Sequence, residues 1–415
     1  MQVCIHRGSK EIGGSCVEVI SHGKRLIIDL GLPLDAEKND KKYLPNIPGL
    51  DGNDDSLLAI LISHPHLDHF GLLGHISGKI PVIMGADARR ILSQASPFLP
   101  GKWPVPANGL NLQSGKTFDL GPFKITPYLI DHSAYDAYSI LIESGGRRLF
   151  YSGDLRMHGR KARLTEELMD HPPHGIDVLL LEGSTLGRLE EYESFPSEAE
   201  IEEKLVAAFS NSMGLSLVHT SAQNIDRIVS IFRACKKTGK TLVIDLYTAV
   251  VLEATGNKHI PQSDWPNIVL YIPQKQRIQI KDNKWFDLLK KHSKNRIFIE
   301  NLQEISTHAV LLFRPIHIRD LEKADLLNSA AYIYSQWEGY WEQDSNAYLR
   351  EWLANNMIAK ESIHTSGHAS PSDLKRFADA LVPSRIVPIH TFMPEKYLEI
   401  YNNVELHADG EYWEV

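Results

Sequence analysis

Cysteine is scarce in this 415-residue chain. Its three residues, Cys4, Cys16 and Cys235, are odd in number and far apart, which argues against a disulfide framework and excludes a cysteine-based zinc knuckle. No apolar run is long enough to cross a bilayer, and Met1 to Ser9 lacks the apolar core of a secretion signal. The expectation is a cytoplasmic protein with no membrane partner. Positive charge is also in short supply, 44 Lys and Arg against 52 Asp and Glu for a formal net charge of -8. This excludes indiscriminate polyanion binding through a global field, though not through a local basic patch. With 43% hydrophobic and 23% charged residues, the composition is that of an ordinary globular protein long enough for two domains.

Histidine, by contrast, is plentiful, with 19 residues, and three of them crowd into His64-Pro65-His66-Leu67-Asp68-His69. Residues 57–62 just before are short, branched and uncharged, the pattern of a buried strand, so the cluster lies at a strand's C-terminal end. His64 and His66 point the same way from extended backbone, while Asp68 and His69 open an expected helix over 68–76 and face the same spot from the other side. Neutral imidazoles with a carboxylate suit zinc or a related divalent ion, and ligands arriving from two sides can hold two ions. The plain alternative, a solvated histidine-rich loop, does not account for the preceding strand or the spacing.

This His-x-His-x-Asp-His spacing resembles the metallo-beta-lactamase superfamily, and the resemblance demands further ligands at later strand ends in a fixed order. His132 follows an expected strand over 123–130, and Asp154 follows a hairpin over 138–151. His390 follows an expected strand over 385–389. Singly each has an ordinary structural explanation; in order they form a set. Asp29, closing an expected strand over 25–28, stands where the resemblance places a carboxylate that orients the metal-binding loops. A turn-forming Asp is the alternative there. Arg156, His158, Arg160 and Lys161 are candidates for substrate phosphates or simply a solvated basic loop. Glu182 ends another buried strand, expected over 176–181.

Composition shifts at Arg188, where the acidic stretch 190–193 leads to a helix start with capping-box spacing at Ser197 and Glu200. Strands then alternate with helices, at 215–218, 224–237, 241–246, 248–254, 268–272, 285–291, 296–300 and 330–334, which implies a parallel sheet. The expected division is 1–190, an inserted domain 195–360, and a returning part 361–415. Ile363-His364-Thr365-Ser366-Gly367-His368-Ala369-Ser370, with Glu182 and Pro388-Ile389-His390-Thr391, resembles the beta-CASP branch, which includes ribonuclease J and the cleavage-factor nucleases.

The resemblance implies an α/β fold, a four-layer αβ/βα metallo-beta-lactamase sandwich with an inserted parallel-sheet beta-CASP domain. It implies a nuclease for single-stranded RNA or DNA, with its site in the cleft between domains and the insert as a clamp. His64, His66 and His132 would hold one divalent ion, Asp68, His69 and His390 the other, with Asp154 bridging. Zinc is expected, with manganese the other candidate. Asp68, Glu182 and His368 form the catalytic set, His368 held by Glu182 as general acid. Ser221, Asn224, Ser366 and Gly367 are candidate phosphate contacts, although Ser221 and Asn224 equally suit helix capping. His390, where DNA-cutting members carry an aliphatic residue, favours RNA. The long C-terminal domain of ribonuclease J is not expected after the last motif. Trp337-Glu338-Gly339-Tyr340-Trp341 suits base stacking or packing equally well. Two other classes remain open: a hydrolase of small esters or phosphodiesters, and a catalytically silent scaffold in a nucleic-acid or defence complex. A homo-oligomer and a protein complex are both open.

Overall fold

A computed structural model describes residues 1–99, 107–190 and 192–415; Glu191, inside the acidic stretch, lies outside them. The chain divides into unit 1, Met1–Phe195 with Gly367–Val415, and unit 2, Pro196–Ser366. Residues 361–366 fall in unit 2 rather than the returning part, because Lys360–Ser362 pairs in parallel with Ala331–Tyr334.

Unit 1 carries β1 (Gln2–Arg7), β2 (Cys16–Ser21), β3 (Lys24–Ile28), β4 (Leu57–Leu61), β5 (Val82–Gly85) and β6 (Asn111–Leu112). It continues with β7 (Phe118–Leu120), β8 (Phe123–Ile130), β9 (Ala137–Ser144), β10 (Arg147–Tyr151) and β11 (Val178–Glu182). After unit 2 come β19 (Arg385–Ile389) and β20 (Tyr412–Glu414). They form two sheets, ordered β20-β1-β2-β3-β4-β5-β6 and β19-β11-β10-β9-β8-β7. Side chains alternate across each strand. Val17, Val19, Leu26 and Ile28 of the first sheet therefore meet Ile125, Ile140, Leu149 and Leu180 of the second in a shared core. The opposite faces are covered too. Ile27 and Ile60 pack with Ala88 and Leu92 of the helix Ala86–Ala95. Phe150, Leu179 and Leu181 pack with Leu168 of Ala162–Asp170 and with Leu374 and Phe377 of Pro371–Leu381. Both faces being buried explains the unbroken apolar runs of β4 and β11, and the result is the four-layer α/β sandwich.

Unit 2 contains β12 (Ser216–His219), β13 (Thr241–Ile244), β14 (Ile268–Tyr271), β15 (Arg296–Ile297), β16 (Ala309–Phe313), β17 (Ala331–Tyr334) and β18 (Lys360–Ser362). Their order is β15-β14-β13-β16-β12-β17-β18, and every neighbouring pair is parallel. The expected capping box opens the helix Glu198–Asn211: Ser197 Oγ accepts from Glu200 N at 3.2 Å, and Glu200 accepts from Ser197 N at 2.7 Å. The fully buried β16 is not among the expected strands, although it lies between β12 and β13.

The helix expected over 68–76 begins one residue earlier and stops early, spanning Leu67–Phe70, followed by a 3-10 turn at Leu73–His75. The loop after β3 takes its carbonyls: Leu32 N donates to Leu67 O at 3.0 Å and Leu30 N to His69 O at 2.7 Å. Gly31 makes this approach possible, since a Cβ there would stand 1.7 Å from Asp68 O. Among the described residues, no helix is long and apolar enough to cross a membrane.

Candidate metal centre

Antiparallel pairing of β8 with β9 and of β9 with β10 turns β8 and β10 the same way, and β11 and β19 join β10 in parallel. The C-terminal ends of these strands therefore lie along one edge, and they carry His132, Asp154, Glu182 and His390. The parallel pair β3 and β4 contributes Asp29, His64 and His66. Three groups of ligand atoms result, each with all members within 4.8 Å of one another: His64, His66 and His132; Asp68, His69, Asp154 and His390; and Asp154, Glu182 and His368. Asp154 Oδ2 lies 3.1 Å from His69 Nε2 and 3.6 Å from the Nε2 atoms of both His64 and His390. His66 Nδ1 and His132 Nε2 are 3.1 Å apart.

The imidazoles are held from behind. Asp29 receives His69 Nδ1 at 2.7 Å, Ser63 N and Oγ at 2.7 Å, and the Tyr151 hydroxyl at 2.8 Å. Ser63 Oγ also meets His64 Nδ1 at 3.0 Å, and Ser15 Oγ meets His390 Nδ1 at 3.0 Å. Such partners orient ligands and select the tautomer. Asp29 and His390 adopt left-handed backbone, φ 59° and 53°, a conformation costing on the order of 1–3 kcal/mol away from glycine. Bonds from Asp29 N to Leu61 O (2.8 Å) and from His390 N to Gly8 O (2.7 Å) hold it in place. The strain sits where side chains must turn off a strand end into the site.

The forward-facing atoms fit cations. His64 Nε2, His390 Nε2 and Asp154 Oδ1 are buried without a hydrogen-bond partner among the described residues, and His69 Nε2 has only the Asp154 carboxylate beside it, an arrangement costly unless something else satisfies them. Burial pushes His64 and His132 well below the ordinary imidazole range, His66 to about 4 and His390 downward, so these rings are neutral, the form that binds metal. Burial also disfavours charge on His69, but Asp154, Asp29 and Asp68 outweigh it and hold its pKa well above the ordinary value. Burial likewise opposes the Asp154 carboxylate, which His390, His69 and His64 nonetheless keep ionised, well below the usual range. Negative charge concentrated among neutral imidazoles suits divalent ions.

Beside this centre His368 Nδ1 lies 3.1–3.2 Å from both Glu182 oxygens. Burial opposes protonation of His368, yet Glu182, with help from Asp154 and Asp68, pushes it up to about 9. Glu182 also accepts from Leu155 N (3.0 Å) and Ser184 Oγ (3.0 Å), which fixes the carboxylate. Gly367 admits His368 to this position; a Cβ there would stand 2.6 Å from Ser133 Oγ.

Two basic residues after Asp154 serve the fold instead of facing a substrate. Arg156 is fully buried with its Nε 3.3 Å from Asp131, and Lys161 Nζ donates to His132 O (3.0 Å) and Ala134 O (2.9 Å), bracing the His132 loop. Asn224 and Ser221 lie in unit 2, where Asn224 Oδ1 caps Arg227 N (3.1 Å) and Ser221 Oγ accepts from Gln223 N (3.2 Å). Ser366 ends unit 2 and Gly367 begins the returning segment of unit 1. Of the aromatic stretch, Trp341 is buried in the unit 2 core, while Trp337 and Tyr340 are 41% and 39% exposed. Sequence reasoning overlooks Ser15, Ser63 and Tyr151. Only Ser63 carries a signal, its place beside His64.

The family described as a beta-lactamase superfamily domain matches residues 34–243, half of the chain. Ribonuclease J of Mycobacterium tuberculosis is 24% identical over 245 residues, covering 56% of this chain and 42% of that protein. Transcription termination factor FttA of Methanothermobacter thermautotrophicus is 29% identical over 221 residues, 48% of this chain and 33% of that protein. The chain thus spans less than half the length of these curated relatives. A crystal structure of a protein of unknown function from Enterococcus faecalis V583 superposes with a TM-score of 0.80 over 99% of both chains at 21% identity, which shows the shared fold.

Proposed function

The chain belongs to the beta-lactamase superfamily, and on that premise we propose that it is a metal-dependent nuclease of the beta-CASP type. Its substrate in this reading is single-stranded nucleic acid, RNA before DNA. The observation that carries the reading is the pair of histidine-rich ligand groups, in which His64 Nε2, His390 Nε2 and Asp154 Oδ1 are buried with no hydrogen-bond partner among the described residues. His64, His66 and His132 would hold one divalent ion and Asp68, His69 and His390 the other, with Asp154 reaching both. Zinc suits this imidazole-rich set, with manganese the competing ion. Such ions supply Lewis acidity to a phosphoryl oxygen and lower the pKa of water towards about 7.

The chain's own residues do the rest. Asp29, Ser63 and Ser15 keep the ligand rings in one orientation. His368, with Nδ1 on Glu182, holds a proton at Nε2 for the departing sugar oxygen, and its raised pKa keeps that proton in place at neutral pH. Ser366 and Gly367, leading into His368, are proposed to meet the phosphate. Ser221 and Asn224 keep donor hydrogens for the same use after capping. The named relatives, a ribonuclease and a termination factor, support a nucleic-acid substrate.

The test is incubation of purified protein with end-labelled single-stranded RNA, single-stranded DNA and a small phosphodiester, with and without chelator, beside Asp68→Ala. Chelator-sensitive cleavage of RNA, lost in the variant, is expected. Turnover of the small ester alone would assign a different hydrolase. Metal-loaded protein that cuts nothing would be a scaffold.

A further inference from the structure

Unit 2 concentrates a charge that the metal centre does not use. Between Lys275 and Arg296 stand eight Lys and Arg against two Asp and Glu, in a chain whose net charge is -8. The helix Gln274–Asp282 presents Arg277 and Lys281, one turn apart, to a groove of about 660 Å³ that Lys323 also lines. Two acids share the lining, Asp320 and Glu300. Asp320 already accepts from the Tyr271 hydroxyl at 2.6 Å and Gln274 N at 2.8 Å, and Arg277 stands 3.8 Å from it while 53% exposed. Among the described residues, neither Lys281 nor Lys323 is ion-paired. The cationic surplus therefore faces solvent.

Flat apolar surface accompanies it. Phe298, immediately before the groove residue Ile299, is 56% exposed, and the Arg296 guanidinium lies 5.1 Å from its ring centre. Ile278, on the groove wall itself, is 53% exposed. An acidic peptide would satisfy the cations, but the Asp and Glu side chains that do so bring no aromatic face to match the ring. A single-stranded polynucleotide offers both, phosphates along one edge and bases with open faces.

We propose that this groove is an accessory binding surface for single-stranded polynucleotide, with Arg277, Lys281 and Lys323 meeting phosphates and Phe298 stacking on a base. The inference rests on the nuclease reading for its choice of ligand, and it adds a second contact region carried by unit 2. It predicts that long substrates gain affinity from the groove and that a dinucleotide gains none.

The test measures fluorescence anisotropy of a long labelled single-stranded RNA with the full chain in an Asp68→Ala background, so that the RNA stays intact. The combined variant Arg277→Gln, Lys281→Gln, Lys323→Gln is expected to bind about tenfold or more weakly, with a log-log salt slope about 2 smaller, since each phosphate contact on a single strand contributes about 0.7. Phe298→Ala is expected to lose about five- to tenfold. Lys236→Gln with Lys237→Gln, outside the groove, is the control for loss of surface charge and should change binding little. With Asp68 restored, the groove variant should hydrolyse a small phosphodiester at the wild-type rate, which also shows that it folds. Unchanged RNA affinity and salt slope overturn the proposal. So does displacement of RNA by poly-glutamate as effectively as by unlabelled RNA, which would assign the groove to an acidic protein. If the wild type cleaves nothing but the groove variant still weakens RNA binding, the groove stands and the nuclease reading falls. If the wild type cleaves RNA and the groove variant binds it unchanged, the nuclease reading stands and the groove falls. A chain that binds no RNA removes both.

Discussion

Each unit buries charge, but to different ends. In unit 2 the buried charges answer one another. Arg227 Nη2 lies 2.9 Å from Glu198, both side chains almost wholly buried, and Glu198 also accepts from Ser230 Oγ at 2.6 Å. Asp245 accepts from Thr248 N and Oγ1 at 2.8 Å, from Gln276 Nε2 at 3.0 Å, and from Arg314. In unit 1 the rings of His64, His69 and His390 have partners at Nδ1, while their buried Nε2 atoms face the Asp154 carboxylate and have no other partner among the described residues. Buried charge therefore does not mark a site; convergence of unpartnered atoms on one point does.

Substitution should separate the two designs, and the largest effect belongs to unit 1. Asp154→Asn removes the carboxylate that lies 3.1 Å from His69 and 3.6 Å from His64, the one proposed to reach both ions. Nuclease activity should fall about 10³-fold or more, with less bound metal by mass spectrometry and an unchanged far-ultraviolet circular dichroism spectrum. In unit 2, Glu198→Gln leaves Arg227 buried without its counter-charge, a loss of about 3–5 kcal/mol in denaturant unfolding. Wild-type stability in that variant would erase the contrast. Asp29→Asn tests the support behind the ligands, and should weaken metal affinity by about 10- to 100-fold in a competition titration while the fold persists.

A smaller effect follows from pH. Burial, opposed by Asp245 and reinforced by Arg314, lowers His317 from 6.5 to about 4. Between those values the unfolded chain takes up a proton that the folded unit refuses. Stability on this account is complete above pH 6.5 and declines as pH falls towards 4. His317→Gln should flatten that part of a melting-temperature profile, and an unchanged slope would show that His317 carries none of it.

The proposed ligands are legible in the amino-acid order because His64, His132, Asp154 and His390 each come just after an apolar run that must be a strand, and strands end where such side chains gather. Glu182 and His368, 186 positions apart, are paired only through the motifs around them. Ala309–Phe313 escapes such a reading because its five apolar residues carry no turn chemistry of their own, and its central place in the sheet depends on pairing with β12 and β13. The helix expected over 68–76 is too long for a related reason: the backbone groups that end it are taken by residues 30–32. Arg156 looks available because a sequence shows charge but not depth, and its partner Asp131 lies 25 residues earlier.

The order of amino acids was enough to specify the ligand types, their spacing and the buried strands that deliver them, since side-chain alternation and apolar periodicity are local properties. Which ring nitrogens face inward was settled by Asp29, Ser63, Ser15 and Tyr151, partners brought together across the sandwich by sheet pairing. Orientation and protonation depend on neighbours in space, and those neighbours exist only once the two sheets have packed.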